Sequence, residues 1–287
     1  MGRRIAVIGG DLRQITVAES LAKDGYNVSV YGFDKEYIPQ SIPFSPTLPD
    51  AVEGCRAVVL GIAPCKEDST IDTPFWKESL SASELVAQLH PECVIIGGKL
   101  SSELKDLSSR SNIRFEDYVN REDFAVSNAV PTAEGAIAIA MNELPITLHS
   151  SKCLVTGFGR ISKVLARALH FLGADLTCTA RKSSDIAWIK ALGYKALPTD
   201  SIISSAHHYD LIFNTVPQTI FTYEVLRNIR SDTLIIDLAS KPGGVDFDAA
   251  KQLDIKVIQA LGLPGKCSPV TAGKIIKATV ENILNEL

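Results

Sequence analysis

The stretch KCLVTGFGRIS, residues 152–162, gives the strongest indication of how this chain folds. A short apolar run leads into Gly157 and Gly159 and then into a helix-like segment, SKVLARALHFLG at 162–173. In such a strand–turn–helix the first glycine permits a tight turn and the second leaves room for a pyrophosphate. A third small residue, here Ser162 in place of the usual Gly or Ala, lets helix and strand pack closely. The stretch therefore predicts a Rossmann-type dinucleotide site at Gly157, Phe158, Gly159, Arg160, Ile161 and Ser162.

The strand that follows indicates which dinucleotide binds. ADLTCTA, residues 174–180, ends at Ala180, where an NAD enzyme usually carries an acid for the ribose 2′-hydroxyl. Arg181, Lys182 and Ser183 come next, and a 2′-phosphate needs charge-assisted donors of this kind. The sequence therefore predicts NADP as the cofactor, in preference to NAD.

Two later strand ends are expected to complete the cofactor site. The carboxyl ends of strands in an open sheet face the ligand crevice. We therefore expect the ribose and nicotinamide to be flanked by Asn214, Thr215, Val216, Pro217, Leu238, Ala239 and Ser240. Lys241, which follows, is either an anion-binding residue or a surface lysine. His207 and His208 precede a strand, and we interpret both as surface residues.

The first half of the chain opens with a similar but incomplete turn, IGGDLRQ at 8–14. It lacks the third glycine and carries Asp11 and Arg13 where a dinucleotide would need space. We interpret it as a degenerate nucleotide turn that holds an acidic substrate. Arg13 and Lys99 are predicted to pair with carboxylates, and Glu134 to act as a base or hydrogen-bond acceptor.

Lys99 and Glu134 are accordingly the candidate catalytic residues, although each of these charged side chains could instead form a structural ion pair. The predicted substrate contacts also come from strand ends, the domain junction and the rim of the second domain. They are Asp11, Arg13, Gln14, Ala63, Asn128, Thr132, Lys241 and Gly265.

The order of the segments predicts the architecture. Short β-branched runs alternate with helix-length segments, which indicates βαβ units and mostly parallel sheets. Strands are expected at residues 4–8, 27–31, 57–60, 93–96, 153–156, 175–179, 211–214, 234–238 and 256–259. We expect an α/β chain of two Rossmann-like, doubly wound parallel-sheet domains with an interdomain cleft.

The domain boundaries follow from the same reading. The first domain comprises residues 1–130 and is joined by a C-terminal helix at 270–287. The second, residues 131–269, is the NADP-binding domain and begins with a linker helix at 131–144. Pro131 suits the first turn of that helix, and Pro145 cannot continue it.

Composition excludes several classes of function. The 287 residues are 46% hydrophobic and 22% charged, and a net charge of −4 argues against a dedicated nucleic-acid binder. The sequence shows no apolar run near the roughly 20 residues that cross a bilayer, and no signal segment, so we expect a cytoplasmic protein without a membrane partner. Six scattered cysteines without a C-x-x-C pair predict neither a metal site nor a disulfide framework.

Four motifs together resemble the A subunits of dipicolinate synthase from spore-forming bacteria. They are IGGDLRQ at 8–14, NAVPTAEGAI at 128–137, TGFGRI at 156–161 and ALGLPGKCSP at 260–269. The resemblance covers essentially the whole chain, and the first, second and fourth motifs are more specific than the glycine turn. The second half also resembles the cofactor domains of 2-hydroxyacid dehydrogenases and adenosylhomocysteinase, at the level of fold alone.

The resemblance implies an NADP-linked oxidoreductase acting on a CH–CH bond. Its reaction would be the oxidation of dihydrodipicolinate to dipicolinate late in sporulation, with or without prior dehydration of a hydroxy-tetrahydrodipicolinate. It also implies a location in the mother-cell cytoplasm and a heteromeric complex with a flavoprotein-like B subunit. A homo-oligomer is a further expectation.

Two alternatives remain open from the residues. One is a 2-hydroxyacid or amino-acid dehydrogenase that uses NAD(P) on the same pair of domains. Hydroxyacid enzymes usually place a histidine–carboxylate pair near the substrate, and His149 and His170 have no obvious crevice position. The other is a non-catalytic NADP-binding subunit whose partner performs the chemistry.

Overall fold

The computed structural model describes residues 4–287 and divides the chain into two compact units. The first unit comprises the residues up to Asn128 together with Ser268–Leu287, and the second comprises Ala129–Cys267. Each unit is an α/β domain built on one parallel sheet. The predicted fold class is therefore confirmed, whereas the expected interdomain cleft stays a prediction.

The first unit contains a five-stranded parallel sheet with the order β2-β1-β3-β4-β5. Its strands are β1 (Arg4–Ile8), β2 (Asn27–Tyr31), β3 (Ala57–Ile62), β4 (Val94–Gly98) and β5 (Arg114–Asp117). Its helices are α1 (Leu12–Lys23), α2 (Leu48–Val52), α3 (Ala82–Ala87), α4 (Ser102–Arg110) and, from the end of the chain, α12 (Pro269–Glu286). Short 3₁₀ turns lie at Lys35–Tyr37 and Tyr118–Asn120.

Both faces of this sheet are buried. Along β1, Ile5 and Val7 belong to one apolar cluster, and Ala6 and Ile8 belong to another on the opposite face. Successive side chains of a strand point to opposite faces, so a strand covered on both sides must be apolar throughout. This explains why the strand runs of the sequence are continuous rather than alternating.

The second unit contains a six-stranded parallel sheet with the order β11-β10-β9-β6-β7-β8. Its strands are β6 (Lys152–Thr156), β7 (Asp175–Ala180), β8 (Lys195–Pro198), β9 (Leu211–Asn214), β10 (Leu234–Asp237) and β11 (Val257–Gln259). Its helices are α6 (Arg160–Phe171), α7 (Ser183–Ala191), α8 (Ile202–Ser205), α9 (Tyr223–Leu226), α10 (Phe247–Gln252) and α11 (Leu263–Cys267). The 3₁₀ turns Thr199–Ser201 and Ala206–His208 follow β8 and α8.

The longest helix, α5 (Glu122–Glu143), corrects the predicted linker helix at 131–144. It begins nine residues earlier than expected, and Pro131 lies inside it rather than in its first turn. A proline in a helix interior removes one backbone hydrogen bond and usually ends or kinks the helix, which is why the sequence suggested a start there. The division between the two units falls within this helix, between Asn128 and Ala129.

By length and mean hydropathy alone, α5 could also cross a membrane. Half of its most apolar 18-residue window is nevertheless buried within the fold. On its second-unit portion, Ala133, Ala136, Ile137 and Ala140 pack into the main apolar cluster of that unit. We interpret α5 as a core helix.

The last helix packs against the first helix of the same unit. Ile276, Val280 and Ile283 of α12 share an apolar cluster with Val17 and Leu21 of α1. At Gly273 a Cβ atom would lie 2.6 Å from Cβ of Thr16 and 2.7 Å from the carbonyl oxygen of Arg13. The two helices therefore approach each other as closely as they do because residue 273 has no side chain.

Candidate functional site

The turn after β6 contains two glycines that serve different purposes. Gly157 has a φ of +85°, and a Cβ there would lie 2.9 Å from Oγ1 of Thr215, so both its backbone conformation and its surroundings require glycine. Its amide donates a 3.2 Å hydrogen bond to Oγ1 of Thr179. Gly157 is thus part of the internal packing of the turn.

Gly159 is required by neither conformation nor packing. Its φ of −87° suits any residue, and no atom lies within 4 Å of where its Cβ would be. It is the N-cap residue of the twelve-residue helix α6, whose first amides have no partner within the helix. The open space beside these amides is where a Rossmann domain receives a pyrophosphate.

A cavity of about 300 Å³ opens at this turn, along the carboxyl ends of β6, β7, β8 and β9. It is lined by Gly157, Phe158, Gly159, Ala180, Arg181, Lys182, Asp185, Thr199, Thr215, Val216, Pro217, Gln218 and Ile220. Eight of these residues were predicted as cofactor contacts. Ala180, Asp185, Thr199, Gln218 and Ile220 were not, because a small strand-end residue, helix starts and loop residues beyond the strand ends carry no motif of their own.

Two cations face this cavity without acidic partners. Arg181 and Lys182 are exposed, and within residues 4–287 neither forms an ion pair. Asp185, in the first turn of α7, lines the same cavity. Two unpaired cations therefore lie at the end of the second strand of this Rossmann sheet, where they offer charge-assisted donors to an anionic ligand group.

The remaining predicted cofactor residues lie around the cavity rather than in its lining. Arg160 and Ile161 begin α6, and Ser183 begins α7. Ser162 is buried, and its hydroxyl lies 2.7 Å from that of Thr215, which in turn donates to the carbonyl of Thr156. Ser162 therefore connects α6, through the Thr215 hydroxyl, to the end of β6.

The strand ends further along the sheet are more deeply buried than expected. Asn214, Leu238 and Ala239 are 0%, 6% and 1% exposed, and none of the three lines the cavity, whereas Ser240 is exposed. Asn214 instead forms hydrogen bonds with Thr156, Val216 and Asp237. Asp237 itself was not singled out from the sequence, because a single acid at a strand end has no spacing signal.

In the first unit, the glycine turn after β1 is covered by its own chain. Gly9 and Gly10 have φ values of +56° and +86°, and the Gly10 amide donates a 2.7 Å hydrogen bond to the carbonyl of Asp72. A Cβ at Gly9 would lie 2.9 Å from that carbonyl oxygen and from the methyl group of Thr73. The Gly10 amide and the space beside Gly9 are therefore taken up by the chain itself.

The charged residues after this turn pair with each other. Asp11 is the N-cap residue of α1, and its carboxylate accepts hydrogen bonds of 2.7–3.0 Å from the Arg13 guanidinium. Burial alone would lower the pKa of Arg13, but the Asp11 carboxylate holds it above its ordinary value. Gln14 is 1% exposed, and neither polar atom of its side-chain amide has a partner within the described residues.

Two predicted substrate residues at the same sheet edge have an unusual backbone. Ala63, after β3, and Lys99, after β4, have φ values of +52° and +51°. Left-handed conformations cost energy in residues other than glycine and cluster at functional sites. The Lys99 loop is held by Asp117, whose carboxylate accepts from the amides of Lys99 (2.9 Å), Leu100 (3.1 Å) and Val119 (3.2 Å). The ammonium group of Lys99 is exposed and forms no ion pair among the described residues.

The remaining predicted substrate and catalytic residues lie on α5, after β10 and in α11. Asn128 and Thr132 lie on α5 and are half-buried and buried, while Glu134 on the same helix is exposed. Lys241 is exposed after β10, and Gly265 lies in α11. His207 and His208 are exposed, as expected. No group of three or more potential metal ligands occurs within residues 4–287.

A larger cavity, of about 730 Å³, lies on the first unit at the opposite edge of its sheet. Its lining comes from the starts of β3, β4 and β5 and from the last residue, and combines Arg56, His90 and Arg114 with Glu92. Open α/β sheets bind ligands at the carboxyl ends of their strands, not at this edge. We therefore place the candidate cofactor site at the smaller cavity beside Gly159.

Two parallel α/β domains, one with an open glycine turn beside unpaired cations, define a protein of the Rossmann-like, dinucleotide-binding fold class. A family model described as the N-terminal domain of the dipicolinate synthase A subunit matches residues 4–119. The whole chain is 31% identical to the dipicolinate synthase A subunit of Bacillus subtilis (strain 168) over 296 residues, covering 97% of that protein. This chain belongs to the family of dipicolinate synthase A subunits, which confirms the resemblance drawn from its motifs.

Solved structures agree with this assignment. The crystal structure of the dipicolinate synthase A chain from Bacillus subtilis matches with a TM-score of 0.91 and 30% identity, covering all of this chain and 97% of that one. A transhydrogenase from Sinorhizobium meliloti matches with a TM-score of 0.73, covering 98% of this chain and 93% of that one. At 14% identity the second likeness shows a shared fold alone.

Proposed function

We propose that this chain uses NADP to oxidise dihydrodipicolinate to dipicolinate. One observation carries the proposal. Open space lies where a side chain at Gly159 would be, although the fold does not require glycine there, and the unpaired cations Arg181 and Lys182 line the same cavity. If this exposed turn bound no ligand, any residue could adopt the backbone conformation of position 159, and glycine would not be needed there. A dinucleotide phosphate explains both the missing side chain and the neighbouring charge.

In the proposed cofactor site, two groups of residues bind two different parts of the cofactor. Residues 157–159 and the first amides of α6 would hold the pyrophosphate, and Arg181, Lys182 and Ser183 would hold the 2′-phosphate. When bound, NADP supplies the hydride acceptor of the reaction. The chain's own part is to orient the substrate carbon, to bind its carboxylates and to allow a proton to leave.

The overall reaction balances as dihydrodipicolinate plus NADP⁺ giving dipicolinate, NADPH and one proton. One ring C–H bond breaks with its electron pair, and a second ring hydrogen leaves as a proton to a base or to water. The aromaticity of the product supplies driving force, so positioning is the protein's main task. If the precursor is the hydroxylated tetrahydropyridine, loss of water precedes this step.

Two carboxylates need paired cations or amides, because desolvating them without partners is costly. We propose Arg13 and Lys99 for this role. Lys99 has a free ammonium group on a loop fixed by Asp117, and Arg13 is held in one orientation by Asp11. Glu134 is the proposed proton acceptor, and the further proposed contacts are Asp11, Gln14, Ala63, Asn128, Thr132, Lys241 and Gly265.

The positions of the histidines disfavour a hydroxyacid dehydrogenase. The His170 ring, in the last turn of α6, makes edge-on and tilted contacts with Phe171 and Tyr194, and the His149 ring fills the space beside Gly173. Neither histidine lines the cofactor cavity. Among residues 4–287 no histidine lines this cavity, so the cavity offers none of the kind that such an enzyme presents to its substrate.

The family name designates one component of a synthase, and the relatives carry it as the A subunit or A chain. We propose that the partner is the flavoprotein-like B subunit and that the complex works in the mother-cell cytoplasm during sporulation.

A two-signal assay tests the proposed reaction. Purified chain, with and without the B subunit, is mixed with NADP⁺ and freshly generated dihydrodipicolinate, and NADPH and dipicolinate are measured together. We expect the two products to form in equal amounts and at the same rate. Dipicolinate without NADPH would overturn the assignment. If turnover requires the B subunit and takes place at sites on that subunit, this chain is instead non-catalytic.

A further inference from the structure

Asp237 is the one Asp, Glu, Lys or Arg among residues 4–287 that is fully buried, at 0% exposure. It lies at the carboxyl end of β10 and forms no ion pair within that range. Its Oδ1 accepts hydrogen bonds from Nδ2 of Asn214 (2.7 Å) and the amide of Ala239 (3.1 Å), and its Oδ2 accepts from the amide of Gly244 (3.0 Å). A buried carboxylate without a cation is costly, so its presence calls for a reason beyond stability.

The Asp237 carboxylate joins two loops through Asn214. The Asn214 side chain accepts from the hydroxyl of Thr156 (2.6 Å) and the amide of Val216 (3.1 Å), and it donates to the carbonyl of Val216 (3.1 Å). Every hydrogen-bonding position of the amide is thereby used. The loop after β9, which includes Val216, and the loop 239–244 after β10 are therefore fixed to one buried group.

Glycine makes this approach possible. A Cβ atom at Gly244 would overlap the Asn214 amide nitrogen and would lie 2.6 Å from the carbonyl oxygen of Val216. Gly243 has a φ of +92°, and a Cβ there would lie 3.1 Å from Oδ2 of Asp237. The sequence Gly243-Gly244 is thus required for the second loop to reach Asp237.

The two loops lie on one half of the sheet. A Rossmann sheet receives the two nucleotides of its ligand on the two sides of its first strand, here β6. Arg181, Lys182 and Thr199 follow β7 and β8 and thus mark the adenosine half of the cavity. The strands β9 and β10 are on the other side of β6, so the loops that Asp237 holds belong to the nicotinamide half.

We propose that Asp237 is a positioning residue that fixes the loops after β9 and β10 beneath the nicotinamide ring. The proposal rests on the proposed function, because it needs a nicotinamide dinucleotide in the cavity. Asp237 touches neither the cavity nor the reacting atoms and acts through Val216 and the loop 239–244. Asp237 was not predicted from the sequence and is recognisable only from its burial and its three donors.

The variant Asp237→Asn tests this role with almost no change in shape. Its new NH₂ group must face at least one of the three donors, so at least one of these hydrogen bonds is lost. The adenosine and phosphate contacts are unchanged. We expect the Kd for NADPH to stay within about threefold of wild type while kcat falls about tenfold or more, the pattern of an interaction needed in the transition state. The emission of bound NADPH should move towards that of the free cofactor, because the ring is less ordered.

Asp246→Ala is the matched control. Asp246 is an acid of the same segment that accepts a 3.0 Å hydrogen bond from the amide of Ala249 as the N-cap residue of α10. Its loss should lower the melting temperature and leave the NADPH emission and kcat unchanged. If Asp237→Asn behaves like this control, with a lower melting temperature alone, the positioning role is wrong.

Thr156→Val is the second variant, and it decides the question if Asp237→Asn does not fold. It removes only the hydroxyl that orients Asn214. The emission of bound NADPH should therefore move towards that of the free cofactor, as in Asp237→Asn, but by less. Unchanged emission and kcat in folded Thr156→Val would overturn the proposal. If wild-type chain binds no NADPH at all, the proposed function fails and this inference fails with it, whereas intact wild-type binding without a variant effect overturns the inference alone.

Discussion

At the scale of single residues, the cavity of the second unit separates what the fold needs from what a ligand needs. Gly157 is required by its positive φ and by the nearby Thr215 hydroxyl, whereas Gly159 faces open space. The strand–turn–helix pattern predicted both glycines. Only the structure shows that their reasons differ, because the pattern does not contain the neighbours of each Cβ position.

Arg181 and Lys182 are expected to select NADP over NAD. Replacing either by alanine should weaken NADP binding by about 1.5–3 kcal/mol for each charge-assisted hydrogen bond lost, and should leave NAD binding nearly unchanged. Lys190→Ala, which removes an exposed lysine of α7 that does not line the cavity, is the control. Titration of each variant with both cofactors measures the ratio. Equal losses for NADP and NAD would contradict the 2′-phosphate assignment.

Other residues of the site could not be predicted from the sequence. Asn214 was expected to flank the cofactor, yet its amide is used entirely within the protein. The position of a residue after a strand indicates the edge of the sheet, but whether its side chain points into the cavity or between two strands depends on packing. Asp185 and Thr199 reach the cavity from a helix and a 3₁₀ turn, for which no spacing rule exists.

At the scale of elements, the nine predicted strands are all present, and the two that were missed are both at sheet edges. These are β5, RFED, and β8, KALP. An edge strand is paired and covered on fewer sides, so its sequence need not be apolar, and the signal that identified the central strands is absent. Helix α5 was shortened in the prediction for a different reason, the proline at position 131 in its interior.

The end of β5 nevertheless determines the conformation of a loop. Asp117→Asn should destabilise the first unit by about 1–3 kcal/mol, because the carboxylate accepts three amides of the loops that follow β4 and β5. Glu116→Gln in the same strand is the control, since it breaks only an exposed pair with Arg114. Denaturant titration compares the two variants. Equal stability of both would show that Asp117 does not hold the Lys99 loop.

The contact between α1 and α12 gives a second prediction at this scale. Gly273→Ala should destabilise the chain by about 1–3 kcal/mol even though alanine favours helices, because the new methyl group would meet Thr16 and the Arg13 carbonyl. Lys274→Ala, at the neighbouring exposed position, should change stability little. Thermal unfolding of the two variants tests the contact, and a Gly273→Ala variant more stable than wild type would refute it.

At the scale of the whole molecule, two Rossmann-like units of similar design differ at their glycine turns. The turn of the first unit is covered by the chain itself, through the bond from Gly10 to Asp72. The turn of the second unit is open at Gly159. The family was predictable from four sequence motifs, and the two parallel sheets were predictable from the alternation of strand-like and helix-like segments. The covering of the first turn was not, because residues 71–73 are distant from it in sequence.

Because only the second turn is open, we expect the chain to bind one nicotinamide dinucleotide and to bind it at that turn. Gly159→Val should abolish that binding while the chain stays folded, because its side chain would enter space that only the pyrophosphate needs. The extended backbone at position 159 accepts valine without strain. Gly159→Ala should give an intermediate loss.

Calorimetric titration of the wild-type chain and of Gly159→Val with NADP⁺ measures binding at this turn, with circular dichroism to confirm that both are folded. We predict one site per wild-type chain, weaker binding of NAD⁺, and no detectable heat of binding for Gly159→Val. A wild-type chain that binds neither cofactor, or a folded Gly159→Val chain that binds NADP⁺ with wild-type affinity, would show that the second turn is not a dinucleotide site.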